Sequence, residues 1–426
     1  MKNTGNIEIM SPAGSFDSLM AAIQGGAGSV YFGAGQLNMR SRSSSNFSPE
    51  EIREIVSICH EHGVKSYLTL NTIIYDEELD TMKQMVDLAK ESGISAIIAS
   101  DLSVLEYALL KKVEIHISTQ CNITNIDAIK FYSRYADVMV LARELNVSQM
   151  AAITKAIREQ NICGPSGKLA RIEVFVHGAL CMAVSGKCYI SLDNFNASAN
   201  RGACLQPCRR IYNVKDADSE LELNIDNKYI MSPKDLMTIP IIDRLLDAGV
   251  TVLKIEGRGR SAEYVKTVTR TYHEAVEAWQ QGQFNAEQVE KWTARLRTVY
   301  NRGFWNGYYL GEETGQWSER YGSQATTKKV YVGKVVNFFS NLKVAEIKIE
   351  THFINVGDNM LIIGPTTGAY EAVVTELRVD MTSIQQAVKG ENCSLLVNET
   401  LRRGDKVYLV VAEGHPLFPS KLQSDK

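Results

Sequence analysis

Two hydrophobic patterns alternate along the first two thirds of the chain. Short apolar runs rich in β-branched residues are followed by longer segments in which apolar residues recur every three or four positions. The runs are typical of buried strands and the longer segments of amphipathic helices, so the alternation predicts βα units around a parallel sheet. We place the strands at IEIMSP, SVYFGA, KSYLTLN, AIIASD, EIHISTQ, DVMVLAR, IEVFVHG and TVLKIEG.

Capping signals support the intervening helices. In the segment SPEEIREIVSICHEHG, Ser48 can cap the helix and Glu51 completes a capping box. Pro49 suits the first helical position and Gly63 ends the helix. Eight such βα units fit a closed (β/α)8 barrel better than an open sheet. The predicted fold class is therefore α/β, with a TIM-like barrel.

Two departures from the alternation define the domain organisation. Residues 179–250, between the seventh and eighth strands, exceed an ordinary βα connection, and such insertions are usually functional or disordered. From Val330 to Val411 the chain changes to alternating runs broken by VGDN and RGDK turns, which predicts a small antiparallel β-barrel. We expect a barrel domain at 1–325, carrying a long loop at 179–233, and a C-terminal β-barrel domain at 326–426.

Composition adds a few exclusions. A hydrophobic content of 45% with 22% charged residues fits a globular protein, and no apolar run reaches the roughly 18 residues of a membrane helix. The amino terminus has no basic and apolar regions of a secretion signal, so we expect a cytoplasmic protein with no membrane contact. The net charge of −3 argues against a wholly basic surface and leaves only local basic patches for nucleic acid.

Four of the eight cysteines fall in one short window. Cys181, Cys188, Cys204 and Cys208 have the spacing C-x6-C-x15-C-x3-C within the long loop. In a reducing compartment this indicates metal ligands or catalytic groups rather than disulfides. Three explanations are open: buried structural thiols, a zinc site, or an iron–sulfur cluster. Because Cys181 closely follows the seventh strand, a bound metal would lie over the mouth of the barrel.

The carboxyl ends of the predicted strands, where this fold carries its active sites, are rich in polar groups. His177 lies four residues before Cys181, so it could donate a hydrogen bond to a cluster sulfur or move a proton, or it could be structural. Glu256 could orient a substrate or act as a base, with a salt bridge as the alternative. Asn71 and Gln120 are candidate substrate-binding residues.

Short basic clusters are candidate contacts for RNA phosphate, although solvated surface is their commonest meaning. An aromatic side chain beside them could stack a base turned out of the RNA. The clusters are Arg40 with Arg42, Arg209 and Arg210 beside Tyr212, and Arg402 with Arg403.

The run EVFVHGALCMAVSGKCYIS is similar to the signature of peptidase family U32. The segments SPAG, YFGAG, LNT, STQ, RGACLQPCRR, SPKDL and LKIEGR resemble the other recurring blocks of that family, in the same order. The family was named for collagenase-like proteolysis, but several members are iron–sulfur proteins required for oxygen-independent hydroxylation. The length and the appended β-domain resemble the members that convert the wobble uridine of tRNA to 5-hydroxyuridine and depend on prephenate.

This resemblance implies a 4Fe-4S cluster held by the four cysteines of the window, with tRNA and prephenate as partners. Prephenate carries two carboxylates, which guanidinium groups bind through bidentate, charge-assisted hydrogen bonds. Arg143, Arg209 and Arg258 are therefore candidate receptors, with salt bridges as the alternative. Electron-donor or cluster-assembly proteins and a homo-oligomer stay open.

Two other functions stay open beside RNA hydroxylation. A peptidase needs an activated nucleophile or a metal-bound water, and the sequence has neither H-E-x-x-H nor G-x-S-x-G. Cys181 and His177 could mimic a Cys–His pair, but that would remove one cluster ligand. The third possibility is a non-catalytic RNA-binding protein whose metal only fixes the long loop.

Overall fold

A closed barrel of parallel strands forms the first domain of the computed structural model, which describes residues 7–42, 46–212, 231–312, 315–319 and 321–418. Each strand pairs with the next, and the eighth pairs with both the seventh and the first, which closes the ring. The predicted TIM-like barrel is therefore confirmed. Seven of the eight predicted runs contain their strand, and the seventh strand begins one residue before its run, at Arg171. The barrel strands are β1 (Glu8–Pro12), β2 (Ser29–Phe32), β3 (Lys65–Leu70), β4 (Ala96–Ala99), β5 (Ile115–Ile117), β6 (Val138–Val140), β7 (Arg171–Gly178) and β9 (Val252–Ile255).

Helices follow the strands and cover the barrel with an apolar core between the two layers. The predicted capping box is present, because the Ser48 amide donates to the Glu51 carboxylate at 2.6 Å and a short 3-10 turn then leads into α2. Gly63 follows this helix with φ of +67°, as a helix-ending glycine does. The helices are α1 (Phe16–Gln24), α2 (Ile52–Glu61), α3 (Leu79–Glu91), α4 (Leu102–Leu110), α5 (Ile126–Tyr132), α6 (Val147–Glu159), α7 (Ile190–Phe195), α8 (Ile242–Asp247), α9 (Ala262–Gln280) and α10 (Ala286–Thr298).

The insertion after β7 carries α7 and returns to the barrel through a short strand, β8 (Asp235–Met237). This strand pairs antiparallel with the end of β7 and parallel with β10 (Phe304–Trp305). We call residues 179–212, its first described part, the cysteine loop. The predicted loop at 179–233 also includes residues 213–230, which lie outside the described residues.

The C-terminal domain is a separate antiparallel β-structure with its own apolar core, as predicted. Eight of its strands form one sheet in the order β15-β14-β20-β11-β12-β19-β16-β17, and β13 pairs with β18. The Asp405 side chain of the RGDK turn accepts the Arg402 amide at 2.8 Å. The strands are β11 (Thr327–Phe339), β12 (Val344–Ile349), β13 (Phe353–Asn355), β14 (Asn359–Gly364), β15 (Gly368–Val373), β16 (Leu377–Val379), β17 (Thr382–Ile384), β18 (Gln386–Val388), β19 (Asn392–Leu396) and β20 (Lys406–Ala412).

The two domains meet where β15 packs on α1. The Gln24 amide donates to the Thr367 carbonyl at 2.8 Å and accepts the Ala369 amide at 3.1 Å. Gly368 permits this approach, because a Cβ there would lie 2.6 Å from the Gln24 oxygen. Throughout the described ranges, no helix combines the length and apolarity that crossing a membrane requires.

Candidate active site

A cavity of about 290 Å³ lies at the carboxyl ends of the barrel strands. Its inner wall is built from strand residues such as Tyr31, Phe175 and Lys254, and from the turns that follow the strands. The cysteine loop supplies the remaining wall. The position agrees with the rule that this fold carries its active sites at this end.

All four cysteines of the window line this cavity, as unpaired thiols. Burial raises the pKa of Cys208, and the three other thiols of the window raise it further, so the four sulfurs lie near one another. Among the described residues, no three His, Cys, Asp or Glu side chains are grouped closely enough to hold a single metal ion. The loop thus gathers four soft donors on one wall of the cavity.

Arg209 fixes the shape of the cysteine loop. Its guanidinium donates to the Leu180 carbonyl at 2.5 Å and to Ser232 Oγ and the Pro233 carbonyl, both at 2.9 Å. It therefore joins the two ends of the insertion. Arg209 lines the cavity, but the structure uses these donors for anchoring, and its substrate-binding role stays a prediction.

Gly202 docks the cysteine loop on the loop after β2. It has φ of +72°, and a Cβ there would lie 2.3 Å from the Asn38 carbonyl oxygen. The Arg42 amide donates to the Gly202 carbonyl at 3.1 Å. Because Cys204 follows two residues later, this contact sets the path of the chain toward the Cys204 thiol.

The cavity wall is strongly positive. Among the described residues that line it, seven side chains are cationic and one, Glu256, is a carboxylate. Three of the seven cations form salt bridges: Arg40 with Glu256, Lys254 with Glu173, and Arg302 with Asp235. Within the described ranges, Arg143 and Arg258 have no carboxylate within 4 Å. Such a surface favours an anionic ligand. The seven cations are Arg40, Arg143, Arg209, Lys254, Arg258, Arg260 and Arg302.

Arg258 is a deeply buried guanidinium held by neutral groups. It is 7% exposed, and its Nη1 donates to Asn38 Oδ1 at 3.0 Å and to Thr69 Oγ1 at 2.9 Å. Burial lowers the pKa of Arg258 to about 10, so the group is still charged at neutral pH. Gly33 leaves room for it, since a Cβ at that position would lie 2.4 Å from Nη1.

The Arg143 guanidinium, which lines the cavity, is only partly hydrogen-bonded within the described residues. Its guanidinium carbon lies 4.0 Å from the centre of the Phe175 ring, and Nη1 donates to the Ala179 carbonyl at 3.2 Å. Its buried Nε has no hydrogen-bond partner among the residues that the structure describes. A buried N–H without a partner is unfavourable, so a ligand acceptor at this position would be stabilising.

Glu256 forms the salt-bridge alternative that the sequence left open. Its carboxylate contacts Arg40 at 3.0 Å and accepts the Ala179 amide at 3.3 Å. Burial raises the pKa of Glu256, but nearby guanidinium groups, Arg40 first, outweigh it and hold the pKa below its usual value. Glu256 is therefore ionised and a weak base, suited to orienting its neighbours.

His177 lies in an aromatic pocket and is not among the residues that line the cavity in the described ranges. Its ring is 5.7 Å from that of Tyr272 and 5.5 Å from that of Phe304, centre to centre. Burial lowers its pKa to about 3, so the imidazole is neutral. The pairing of β7 with β9 is irregular between Phe175 and His177, and a bulge of this kind redirects the side chain. Its predicted catalytic role stays a prediction, with no cavity contact to support it.

Asn71 and Gln120 meet on the cavity wall, as the sequence suggested. The Asn71 amide donates to Ser118 Oγ at 3.3 Å and to Gln120 Oε1 at 3.4 Å, and its oxygen accepts the Met39 amide at 3.2 Å. These amides can offer neutral donors and acceptors to a ligand. Gly186 of the cysteine loop lies against Gln120.

Sequence reasoning missed several cavity residues. Lys254, a cation within the apolar run TVLKIEG, is the one with a recognisable signal. Arg260 and Arg302 arrive from loops, where only tertiary structure reveals them. Arg40, considered for RNA phosphate, instead lines the cavity beside Glu256.

Comparison with known proteins identifies several similar chains. The profile of Peptidase family U32 matches residues 14–319. A protein named Collagenase from Porphyromonas gingivalis is 55% identical over 406 residues, 95% of this chain and 98% of the relative. A tRNA hydroxylation protein of Bacillus subtilis is 30% identical over 366 residues, 84% of this chain and 83% of the relative. A 23S rRNA 5-hydroxycytidine synthase of Escherichia coli is 37% identical over 273 residues, 64% of this chain and 39% of the relative.

Proposed function

The chain belongs to peptidase family U32, and from this premise we propose that it is an RNA-hydroxylating enzyme of that family. More specifically, it would convert the wobble uridine of tRNA to 5-hydroxyuridine without O2, with a 4Fe-4S cluster and prephenate. Relatives named for tRNA hydroxylation and for 5-hydroxycytidine synthesis in rRNA support RNA as the substrate. The observation that carries the proposal is one cavity that combines four thiols with two guanidinium groups that have no carboxylate within 4 Å in the described ranges.

Four thiols on one cavity wall match the ligand set of a 4Fe-4S cluster, which is held by four Cys thiolates. Cys181, Cys188, Cys204 and Cys208 would be its ligands, and the cluster would supply one-electron chemistry.

The positive cavity wall suits a dicarboxylate cosubstrate such as prephenate. Among the described residues, Arg258 and Arg143 offer guanidinium groups that have no carboxylate within 4 Å. Charge-assisted hydrogen bonds to a ligand would satisfy both. Phe175, beneath Arg143, offers an apolar face to the ring of such a ligand.

The cysteine loop carries exposed aromatic side chains that suit unpaired nucleotides. Tyr189, next to the cavity residues Cys188 and Ile190, is 72% exposed, and Arg210 lies 4.9 Å from the centre of the half-exposed Phe195 ring. Aromatic faces combined with arginine bind single-stranded nucleic acid by stacking and charge. RNA bound by this loop would bring a base turned out of its stack toward the cavity.

Nucleoside analysis tests the proposal. A host strain that lacks 5-hydroxyuridine in its tRNA would receive the wild-type gene, a Cys181→Ser variant or a Cys163→Ser variant as the matched cysteine control. Mass spectrometry should detect 5-hydroxyuridine with wild type and with the control, but not with Cys181→Ser. Removing prephenate synthesis from the host should abolish the product. Absence of the product with the wild-type gene would contradict the proposal.

Peptidase activity is the second candidate because the relative at 55% identity is named Collagenase. A Cys–His mechanism would need His177 to activate Cys181. His177 is neutral within its aromatic pocket and does not line the described cavity that Cys181 faces. Collagen cleavage by the cluster-free protein, lost in Cys181→Ser, would favour this candidate instead.

A further inference from the structure

A line of charged side chains runs through the barrel interior beneath the cavity. Lys254 Nζ, on the cavity wall, contacts Glu173 Oε1 at 2.6 Å. Glu173 Oε2 lies 3.3 Å from His116 Nδ1, and His116 Nε2 lies 3.6 Å from Glu114 Oε1. Glu114 precedes β5 and its side chain is 44% exposed at the opposite end of the barrel. This last contact is longer than a hydrogen bond, and His116 Nε2 has no hydrogen-bond partner among the described residues. The line therefore runs from the cavity to a half-exposed carboxylate at the other face, which must move closer to accept a proton.

Strand periodicity places these groups inside the barrel. His116 lies between Ile115 and Ile117, which pack outward in the core beneath the helices. Successive residues of a strand face opposite sides, so the imidazole points inward. Lys254 follows Val252 on β9 by two residues, and Val252 belongs to the apolar cluster of the barrel interior.

Stability alone does not explain this line. Glu173 and His116 are fully buried, and Lys254 is 5% exposed. Buried ion pairs are often no more stabilising than apolar residues of similar size, because the charges lose their hydration. The other interior residues of the barrel include an apolar cluster of Met10, Tyr67 and Ile98 with their neighbours, so an apolar filling was available.

The environment of Lys254 lowers its pKa, so it releases a proton more readily than an ordinary lysine. Burial lowers the pKa of Lys254, Glu173 opposes this, and the positive charges of Arg258 and Arg143 lower it further. Its ammonium also lies 4.8 Å from the centre of the Tyr31 ring. At the other end of the line, burial lowers the pKa of His116, but its carboxylate neighbours outweigh burial and the pKa is raised.

We propose that Lys254 is the proton-transfer residue of the cavity, and that Glu173 and His116 connect it to solvent at the opposite end of the barrel. This inference rests on the proposed function, because replacing a carbon-bound hydrogen of a base by hydroxyl expels that hydrogen. RNA over the mouth would close the direct route to water, which leaves the barrel interior as the exit.

The transfer conserves protons at each residue. A proton of Lys254 first moves to Glu173, which leaves a neutral amine and a carboxylic acid. Once the proposed hydroxylation has bound oxygen to the ring carbon, the amine forms an N–H bond with the hydrogen that leaves this carbon as a proton. The electron pair of the broken C–H bond restores the ring double bond. The neutral Nε2–H tautomer of His116 accepts the Glu173 proton at Nδ1, and the ring then releases its Nε2 proton to Glu114, whose carboxylate lies 3.6 Å away. Lys254 and Glu173 regain their charges, and the imidazole tautomers then re-equilibrate.

Histidine NMR tests the connection without RNA or turnover. The chain has seven histidines, so 15N-histidine labelling gives a simple spectrum, in which a His116→Asn variant identifies His116. Phenylpyruvate, an aromatic carboxylate, serves as the probe for the cavity. We expect its binding to shift the pH midpoint of His116 in wild type but not in Glu173→Gln. Glu263→Gln, which alters a Glu–Lys pair outside the barrel, is the matched control and should behave as wild type.

Kinetics test the transfer itself. Single-turnover hydroxylation should be about 100-fold slower in Glu173→Gln and lose its solvent isotope effect, with RNA affinity unchanged. Lys254→Arg keeps the charge but cannot release a proton, so it should fold normally and be equally slow. A rate and pH profile like wild type in folded Lys254→Arg would overturn the inference, as would a His116 midpoint in wild type that ignores the probe. Failure to hydroxylate RNA in wild type would instead count against the proposed function, while the NMR result stands separately.

Discussion

Gly202→Ala should disturb the thiol cluster without removing a sulfur. Gly202 has φ of +72° and lies against the loop after β2, two residues before Cys204. A Cβ there would lie 2.3 Å from both the Asn38 carbonyl oxygen and Ser41 Oγ. Ordinary contacts between heavy atoms are about 3.5–4.0 Å, so the backbone of one loop must move.

The expected loss in the free energy of unfolding of Gly202→Ala has two parts, backbone strain and steric overlap. An alanine in the left-handed region loses about 1–2 kcal/mol relative to a right-handed conformation. Relieving the overlap adds about 1–3 kcal/mol, as overpacking in a filled site does. Gly167→Ala is the matched control, because its φ of +76° is similar and no atom lies within 4 Å of its added Cβ. We therefore expect the control to lose only the first amount.

Two assays compare Gly202→Ala with the Gly167→Ala control. Denaturant unfolding should give a larger loss for Gly202→Ala than for Gly167→Ala, by about 1–3 kcal/mol. Iron analysis after anaerobic purification should give a strongly reduced content in Gly202→Ala and a wild-type content in the control. Equal stability and equal iron content in the two variants would refute the idea that this glycine docks the cysteine loop.

Three further outcomes follow from the described contacts. Arg258→Lys keeps the charge but loses the guanidinium group that can form two parallel hydrogen bonds with a carboxylate. Calorimetry should show prephenate binding weakened by about 10- to 150-fold, the equivalent of about 1.5–3 kcal/mol, with RNA affinity unchanged. Equal prephenate affinity in the variant and wild type would contradict the role of Arg258. Burial raises the pKa of Glu8, but a Tyr67 hydrogen bond and Lys65 outweigh it and hold the pKa at about 2. In the unfolded chain the pKa of a glutamate is about 4.3, so the ionised Glu8 carboxylate stabilises the fold above that pH, and this contribution is lost as the pH falls toward 2. Glu8→Gln should therefore lower the free energy of unfolding by about 3 kcal/mol at pH 7 and make it less dependent on pH between about 2 and 4. An unchanged acid-unfolding transition in Glu8→Gln would contradict this role. Tyr189→Ala should weaken binding of a tRNA anticodon stem-loop by about 1–3 kcal/mol, whereas Phe339→Ala on the C-terminal domain should leave it unchanged. Equal losses of binding free energy in the two variants would argue against base stacking on the cysteine loop.

Much of the fold was predictable because the strands are short, apolar and separated by well-capped helices. Seven of the eight runs contain their barrel strand, and β7 begins one residue before its run. The RGDK turn was also predictable, since Asp405 has the local backbone contact that such turns use. These features depend on residues close together in the chain.

The gathering of the four cysteines in one cavity was predictable from their common loop, but the roles of their neighbours were not. Arg209 and Arg40 were considered as ligand contacts, and tertiary structure directs them to loop carbonyls and to Glu256. His177 is turned toward α9 at an irregularity of β7, which the sequence does not reveal. The buried line below Lys254 depends on strand register, which spacing in one chain cannot supply.

The most direct test of the account is the iron and acid-labile sulfide content of the anaerobically purified protein, beside Cys181→Ser and Cys163→Ser. We predict about four iron and four sulfide per chain in wild type and in Cys163→Ser, with a clear loss in Cys181→Ser. A wild-type protein that holds one zinc and no sulfide, or that keeps its iron in Cys181→Ser, would contradict the claim that this window of cysteines holds a cluster over the cavity.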